Sequence, residues 1–315
     1  MVDPELYCDR KKMNDMNVKS PVTYSFNTSL VESFNVETIK HQYLEEVNVD
    51  TARFFEGLTQ IQLYNCNDTG YKFYYPDGIW GDGRFYEDLQ KNNNWYYAKN
   101  RWEHRKGIDL IDDNDKVLEI GCGDGVFLEM LRQKGVKNTT AIELNESVVA
   151  ELNKKGYTVF NETIETFAPS HREAYDVVCF FQVLEHIYDI KSFLDSALQT
   201  LKKGGRIIIA VPHNNPYLLR YDINHTLNLP PHHAGLWNQQ AFESLQKFFP
   251  VSLTTLSIMP VIEYKEWYRI QKDYYRKTKP VKSFLMSMVP RPVYKLFLSV
   301  FKQPGRNILV EFVKL

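Results

Sequence analysis

Strand-like and helix-like segments alternate along the C-terminal two thirds of the chain, and this alternation limits the fold more than any other feature. Short apolar runs rich in Val, Ile and Phe are each followed by a stretch with helical periodicity. A parallel sheet covered by helices on both faces is the architecture that such a pattern produces. We predict seven strands, at 116–120, 138–144, 157–160, 175–181, 205–211, 251–258 and 307–314, with helices at 126–134, 147–155, 190–201 and 238–248.

The composition is that of an ordinary globular protein. Of the 315 residues, 43% are hydrophobic and 24% are charged, and no apolar run is long enough to cross a bilayer. Because the first residues also lack the apolar stretch of a secretory signal, we predict a cytoplasmic protein without a membrane span. The four cysteines lie far apart, which argues against a disulfide framework.

Charge is balanced overall but unevenly distributed. A formal net charge of −1 argues against a dedicated nucleic-acid binder, which usually carries a basic excess. Between residues 263 and 306, however, eleven Lys and Arg stand against three Asp and Glu. This basic segment is typical of a solvated helical surface, and it also suits peripheral contact with an anionic membrane or a phosphorylated substrate.

Two further regions accompany the predicted sheet. Residues 1–95 are rich in aromatics, and the alternation at 61–65 and 71–75 predicts two short strands joined by a turn. A long connection at 260–305, rich in Tyr, Lys and Pro, separates the last two strands, and connections of that length are usually functional or pack as a helical insertion. We therefore predict an N-terminal region at 1–95 and an α/β domain at 96–315 that contains this insertion.

A glycine-rich turn follows the first strand of the predicted sheet, in the sequence VLEIGCGDG. Gly121 and Gly123 allow a tight turn and close approach of the backbone to a ligand. Glu143 ends the second strand, 22 residues after Gly121, where a carboxylate can accept hydrogen bonds from a ribose diol. A dinucleotide-binding turn needs a third glycine where this chain has Val126, so the pattern disfavours NAD.

These segments resemble the class I S-adenosylmethionine-dependent methyltransferases, in particular the group of ubiquinone-type and sugar methyltransferases. The matching stretches are VLEIGCGDG, AIEL, NETIETF, YDVVCFFQVLEHI and LKKGGRIIIAVP, which follow the family's order and spacing. The resemblance implies a Rossmann-like, seven-stranded, mostly parallel sheet whose last strand is antiparallel. It also implies S-adenosyl-L-methionine as the cofactor.

The resemblance further implies which residues meet the cofactor. Glu119, Gly121 and Gly123 would shape the pocket for its methionine part, and Glu143 would hold the ribose. The other positions matched to cofactor-binding segments are Cys122 in the turn, Leu144, Thr163 and Ile164 around adenine, Phe181 and Gln182 under the methionine part, and Tyr97 and Arg101 over the cofactor.

The N-terminal region is similar to the zinc-ribbon strand pair of sugar methyltransferases, with one difference. Cys66 and Gly70 match the C-x-x-C-G motif, but Thr69 replaces its second cysteine. Zinc needs about four ligands, and no other cysteine pair is available. We therefore predict the shape of a ribbon without its metal.

A histidine-rich segment follows the fifth strand, at the edge where open α/β sheets bind ligands. It contains His225, His232 and His233, and two prolines restrict the backbone just before the last two. His186 follows the fourth strand. Because methylation of a hydroxyl requires removal of its proton, we predict that His232 or His233 is the base or orienting group, with His225 and His186 as further candidates.

The acceptor itself is left open by the sequence. A sugar or glycan hydroxyl is the leading hypothesis, and C- or N-methylation of another small molecule is the alternative. A cofactor-binding partner subunit without catalysis is a third reading, against which the glycine turn, Glu143 and Gln182 are all intact. Several His and Asp side chains could hold a divalent metal, but no helical H-x-x-x-H spacing supports this, so we predict no metal site.

Overall fold

The structure, a computed structural model, describes residues 17–93, 101–214, 221–222, 225–261 and 264–315. Its strands form two sheets. In chain order the strands are β1 (Thr28–Asn35), β2 (Gln60–Cys66), β3 (Lys72–Tyr75), β4 (Lys116–Ile120), β5 (Asn138–Ile142), β6 (Val159–Phe160), β7 (Tyr175–Phe181), β8 (Leu201–Pro212), β9 (Gly235–Leu236), β10 (Val251–Pro260) and β11 (Pro304–Lys314).

The larger sheet has seven strands in the order β10-β11-β8-β7-β4-β5-β6. The pairs from β8 to β6 are parallel, whereas β11 runs antiparallel to both of its neighbours. The predicted fold class, a Rossmann-like sheet with an antiparallel last strand, is confirmed. The smaller sheet is antiparallel throughout and has the order β1-β2-β3-β9.

Helices cover the larger sheet and flank the smaller one. In chain order they are α1 (Val36–Val47), α2 (Gly83–Asn92), α3 (Trp102–Asp109), α4 (Val126–Lys134), α5 (Glu146–Lys154), α6 (Ile164–Phe167), α7 (Ile190–Thr200), α8 (Gln239–Leu245), α9 (Tyr264–Thr278), α10 (Pro280–Ser287) and α11 (Arg291–Val300). Capping hydrogen bonds from nearby side chains mark several helix ends. Asn145, for example, caps α5 by accepting from the amides of Ser147 and Val148.

The parallel strands place the predicted cofactor residues at one edge. Val117 of β4 is aligned with Thr139 of β5 and with Val177 of β7, so the three strands end at nearly the same level. Since carboxyl ends of neighbouring parallel strands meet at the same edge, the residues that follow them lie side by side. Those residues include Gly121 and Gln182.

Contacts cross the predicted boundary near residue 95. Phe73 of β3 is aligned with Gly235 of β9, a strand that comes from the C-terminal part of the chain. Tyr71 and Phe73 belong to the same buried cluster as Phe180 of the larger sheet. The smaller sheet therefore packs against the α/β core, while other N-terminal residues, among them Val36 and Phe85, belong to a separate buried cluster.

The hairpin that resembles a zinc ribbon is closed by hydrogen bonds. Thr69 Oγ1 accepts from the amide of Tyr71 at 3.2 Å, and Asp68 accepts from Asn27 Nδ2 at 2.6 Å. Cys66 is buried, and its Sγ lies 3.8 Å from a threonine hydroxyl. The position that holds a second cysteine in a ribbon thus fixes the turn through its hydroxyl.

The insertion before the last strand is helical, as predicted, and consists of α9, α10 and α11 between β10 and β11. It is joined to the domain by Arg306, which lies 2.9 Å from Glu266 of α9. Among the described helices, none has the length and apolar character that a bilayer span requires.

Candidate functional site

The turn after β4 has the backbone conformation that only glycine adopts easily. Gly121 has a φ of +70°, and a Cβ there would lie 2.7 Å from a methyl group of Val183. Gly123 has a φ of +51° and has open space where a Cβ would stand. The turn is therefore both tightly packed on its inner side and open on its outer side, as a cradle for a ligand requires.

Glu143 closes this turn from the neighbouring strand. Its Oε2 accepts from the amide of Gly123 at 3.0 Å, and its Oε1 accepts from the amides of Leu144 and Asn145 at 2.8 and 3.0 Å. A carboxylate oxygen has more than one acceptor position, so these bonds leave Glu143 able to accept from a ribose as well. The structure thus brings together the two features that the sequence pattern linked.

Two polar atoms beside the turn are buried without a hydrogen-bond partner among the described residues: Oε2 of Glu119 and Nε2 of Gln182. Burial raises the pKa of the Glu119 carboxyl well above its ordinary value, and the nearby carboxylates of Glu143 and Asp124 raise it further. The amide nitrogen of Gln182 can donate to the carboxylate of an amino acid, and the ammonium of that ligand would favour the ionised form of Glu119, which can accept from it. The residues present therefore fit the methionine part of S-adenosylmethionine.

The other predicted cofactor residues differ in what they offer. Leu144 is exposed and could pack on an adenine ring, whereas Thr163 caps α6 by accepting from the amide of Thr166. The side chains of Ile164 and Phe181 are buried in the core, so only their backbone is available to a ligand. Cys122 is buried as well, and burial raises the pKa of its thiol.

The segment predicted to cover the cofactor is described only in part. Tyr97 lies outside the described residues, and Arg101 is the N-cap residue that precedes α3. Sequence reasoning missed His104, which packs between Phe127 and Phe181 with ring centroids 5.4 and 5.1 Å away. Burial and the charge of Arg101 lower the pKa of His104 to about 4, so the ring is neutral.

Three of the four predicted catalytic histidines form one cluster. One ring nitrogen from each of His186, His232 and His233 lies within 4.8 Å of the other two. The rings of His232 and His233 are stacked at 4.5 Å, and His186 meets them edge-on at 4.9 and 5.2 Å. The sequence placed these residues in two separate segments, and the fold brings them to one point beside the carboxyl edge of the sheet.

Burial keeps the cluster uncharged. It lowers the pKa of His186 to about 4, and it lowers the pKa values of His232 and His233 well below the usual range, an effect that the neighbouring rings increase. The Nδ1 atoms of His186 and His232 lie 2.6 and 2.8 Å from the carbonyl oxygens of His232 and Leu227. A carbonyl only accepts, so both rings carry their proton on Nδ1 and a lone pair on Nε2.

Residues of the N-terminal region hold the histidine segment in place. The hydroxyl of Tyr43 donates to the carbonyl oxygen of Leu229 at 2.7 Å, and the amide of Gly81 donates to the carbonyl oxygen of Pro231 at 2.7 Å. The hydroxyl of Tyr86 lies 3.2 Å from Nδ1 of His186. Sequence reasoning missed these contacts because no local spacing connects residues so far apart along the chain.

Glu185 is a second residue that the sequence analysis missed. Its side chain is 1% exposed, its Oε1 lies 3.8 Å from Nε2 of His186, and its Oε2 has no hydrogen-bond partner among the described residues. Burial, together with the nearby Glu103 carboxylate, raises the pKa of this carboxyl to about 8. The sequence signal that could have found it was an acid directly before the histidine in the segment QVLEHI, just after an apolar strand.

The fourth predicted catalytic residue, His225, stands apart from this cluster. Its half-exposed ring lies 3.0 Å from Asp222, and this contact lowers the pKa of the aspartate. The pair marks the outer end of the histidine segment and does not join the other three rings.

Comparison with known families agrees with this geometry. The profile of one family, described as a methyltransferase domain, matches residues 88–257, which is more than half of the chain. This chain belongs to the methyltransferase domain family. Its cofactor class is accordingly S-adenosylmethionine, which the glycine turn and Glu143 fit.

Curated relatives are similar over about a third of the chain. The ubiquinone biosynthesis O-methyltransferase of Hydrogenovibrio crunogenus is 33% identical over 130 residues, which cover 38% of this chain and 53% of the relative. The protein of the same name from Saccharophagus degradans is 34% identical over 107 residues, 32% of this chain and 45% of its own length. This chain therefore spans about half the length of the curated relatives that it matches.

Solved structures of methyltransferases also align with the chain. A SAM-dependent methyltransferase from Archaeoglobus fulgidus covers 74% of this chain and 100% of its own, with 15% identity and a TM-score of 0.48. An S-adenosylmethionine-dependent methyltransferase from Mesorhizobium loti covers 69% of this chain and 100% of its own, with 12% identity and a TM-score of 0.46.

Proposed function

We propose that this protein transfers the methyl group of S-adenosylmethionine to a hydroxyl oxygen of a small molecule that binds at the histidine cluster. The position of the cluster carries the proposal. Gln182 follows β7 beside the glycine turn, and His186 lies in the short helical turn four residues further on. A group held by His186, His232 or His233 is therefore close to the part of the cofactor site that receives the methionine end.

The proposed reaction is an in-line displacement. The acceptor oxygen forms a bond to the methyl carbon, the bond from carbon to sulfur breaks, and its electron pair goes to the sulfur. The hydroxyl proton leaves to a neighbouring base or to solvent. Holding the two reactants in line supplies much of the rate, and a neutral imidazole lone pair can orient the hydroxyl and accept its proton. The cluster offers such lone pairs.

For the acceptor, we favour a hydroxyl on an aromatic ring over the sugar or glycan hydroxyl expected from the sequence. The curated relatives are named for ubiquinone biosynthesis, and none of those reported above is named for a sugar. Aromatic side chains near the histidine segment are consistent with a flat acceptor. The rings of Trp80 and Tyr188 are stacked with their centroids 5.2 Å apart. Trp80 directly precedes Gly81, whose amide donates to the backbone of the histidine segment.

The test is methyl transfer from radiolabelled S-adenosylmethionine to a panel of phenols, catechols, sugar nucleotides and amines. We expect transfer to ring hydroxyls, and calorimetry should detect binding of S-adenosylhomocysteine but not of NAD. Transfer to sugars alone would move the acceptor class back to carbohydrate. Transfer to amines alone, or cofactor binding without any transfer, would overturn O-methylation.

We also propose that the insertion lies on an anionic lipid surface. Large apolar side chains of α10, α11 and the residues beside them are 36–73% exposed, and together they form the apolar face of the insertion: Val281, Phe284, Leu285, Met288, Val289, Val293, Leu296, Phe297, Val300 and Phe301. Proteins that stay in water rarely expose an apolar surface of this kind. On α11 only Tyr294 and Leu298 are buried.

The charges around the apolar face select the kind of partner. No Asp or Glu occurs between residues 274 and 305, whereas exposed basic side chains border the face at Lys279, Lys282, Arg291, Lys295 and Lys302. Amphipathic helices with an apolar face and basic borders bind the interface of membranes that carry anionic lipids. Each lysine near such a surface contributes about 1 kcal/mol to binding.

Sedimentation with lipid vesicles tests this proposal. We expect the protein to bind vesicles that contain phosphatidylglycerol and not vesicles of phosphatidylcholine alone, and we expect added salt to weaken binding. Lys295→Ala should weaken partitioning about fivefold, and Phe284→Glu with Phe297→Glu should abolish it. Leu44→Glu, on an exposed site of α1, is the matched control. No binding to anionic vesicles, together with a concentration-dependent dimer, would instead assign the face to self-association.

A further inference from the structure

The three clustered histidines present the donor set of a metal site. In His186 and His232 the Nδ1 proton points to a backbone carbonyl, which turns the lone pair of each ring to Nε2. Histidines that bind metals are usually held in this way, with the second ring nitrogen donating to a carbonyl or carboxylate. This hydrogen bonding fixes both the tautomer and the direction of the ring before any ion binds.

His233 supplies a second, independent observation. Its ring is 3% exposed, and its Nδ1 is buried without a hydrogen-bond partner among the described residues. A buried polar atom that lacks a partner costs free energy, so an unpaired ring nitrogen beside two others points to a missing ligand. The stacked ring of His232 and the edge of His186 surround it.

Glu185 is a buried acid beside these rings, and a bound cation would favour its ionised form, whose charge would balance that of the cation. Its carboxylate is 1% exposed, with Oε1 at 3.8 Å from Nε2 of His186 and Oε2 without a partner among the described residues. The proton of His186 lies on Nδ1, so its Nε2 offers a lone pair 3.8 Å from Oε1 of Glu185. A cation placed between two acceptors would satisfy both.

We infer that His186, His232 and His233 bind one divalent transition-metal ion of the zinc type, with Glu185 as a neighbouring carboxylate. Imidazole nitrogens and a carboxylate suit Zn²⁺ better than they suit Mg²⁺ or Ca²⁺, which prefer oxygen ligands. Around a tetrahedral zinc the ligand nitrogens stand about 3.3 Å apart. The ring nitrogens here lie within 4.8 Å of one another, so small ring movements complete the site.

The inference departs from the absence of a metal site that we expected from the sequence. That expectation rested on local spacing, and here the ligands come from two segments 46 residues apart. The inference rests on the proposed function only for the metal's part in catalysis. Three protein ligands leave a coordination position open, where an acceptor hydroxyl could bind and release its proton to solvent as its pKa falls.

The test needs neither acceptor nor cofactor, so its failure would not be confused with failure of the proposed function. Untagged protein is incubated with Zn²⁺, passed through a desalting column and analysed by mass spectrometry for zinc. We expect about one zinc per chain, and reconstitution with Co²⁺ should give the visible absorption of a tetrahedral site. Zinc well below one per chain, or a Co²⁺ spectrum of the hexahydrate only, would overturn the inference.

Substitutions of the proposed ligands test where the ion binds. His233→Gln and His232→Gln keep a polar side chain of similar volume, and each should reduce zinc to a small fraction of the wild-type content. Cys66→Ala is the matched control, because Cys66 belongs to the hairpin that resembles a zinc ribbon, and it should keep its zinc. Circular dichroism and thermal unfolding of each variant establish that it is folded. Equal zinc in the folded histidine variants and the wild type would also refute the site.

Discussion

Replacing His233 with alanine is expected to lower turnover by about 10²–10⁴-fold while the affinity for S-adenosylhomocysteine stays within about twofold of the wild type. His233 is buried in the histidine cluster, and its Nδ1 has no partner among the described residues, so the ring is not needed for a hydrogen bond there. In the proposed reaction its lone pair would act on the acceptor oxygen, either directly or through a bound ion. The loss should therefore appear in kcat and spare cofactor binding.

Single-turnover methyl transfer with the best acceptor of the panel measures this effect, and calorimetry measures cofactor affinity. His41→Ala is the matched control, since His41 is exposed on α1 and should leave both quantities unchanged. His225→Ala should have a small effect, because that ring lies outside the cluster and pairs with Asp222. Wild-type turnover in a folded His233→Ala protein would remove the cluster from the reaction and leave positioning as the source of the rate.

The Glu143→Ala variant should bind the cofactor about 10- to 100-fold more weakly, which corresponds to roughly 1–3 kcal/mol for loss of a charge-assisted hydrogen bond. Glu143 is the acid at the end of β5 whose Oε2 accepts from the amide of Gly123. Its loss removes the proposed ribose contact and also one of the bonds that hold the glycine turn. Glu143→Gln keeps an acceptor oxygen and should lose less.

Titration calorimetry with S-adenosylhomocysteine gives both affinities. Glu146→Ala is the control for the change in charge, because Glu146 is an exposed acid only three residues further along, in the first turn of α5. A dissociation constant equal to that of the wild type in Glu143→Ala would show that the carboxylate does not contact the cofactor. A large loss in Glu146→Ala as well would indicate long-range electrostatics instead of a direct bond.

The geometry of the proposed cofactor half of the site could be predicted from the sequence because its determinants are local. β4 and the turn with Gly121 and Gly123 form a single contiguous stretch. Glu143 follows the next strand along the chain, at a spacing set by the helix between the two strands. Several strand and helix bounds were predicted to the residue, among them β4, α4 and β7. Each of these features depends on neighbours within a few residues or on one βα unit.

The acceptor half could not be predicted in the same way. The cluster of His186 with His232 depends on a contact across 46 residues, and the hydroxyl of Tyr86 reaches His186 across 100 residues. Neither separation follows from periodicity or from a motif. The pairing of Phe73 with Gly235, which crosses the predicted boundary at residue 95, was beyond prediction for the same reason.

The two-residue strand β9 links the histidine cluster to the N-terminal residues. β9 begins two residues after His233, and its only partner in the smaller sheet is β3. A fragment starting near residue 96 would lose that pairing together with Tyr43 and Tyr86, and the imidazoles would no longer be held together. The geometry of the histidine cluster therefore depends on two segments far apart along the chain, and we expect a chimaera joined near residue 96 to lose it.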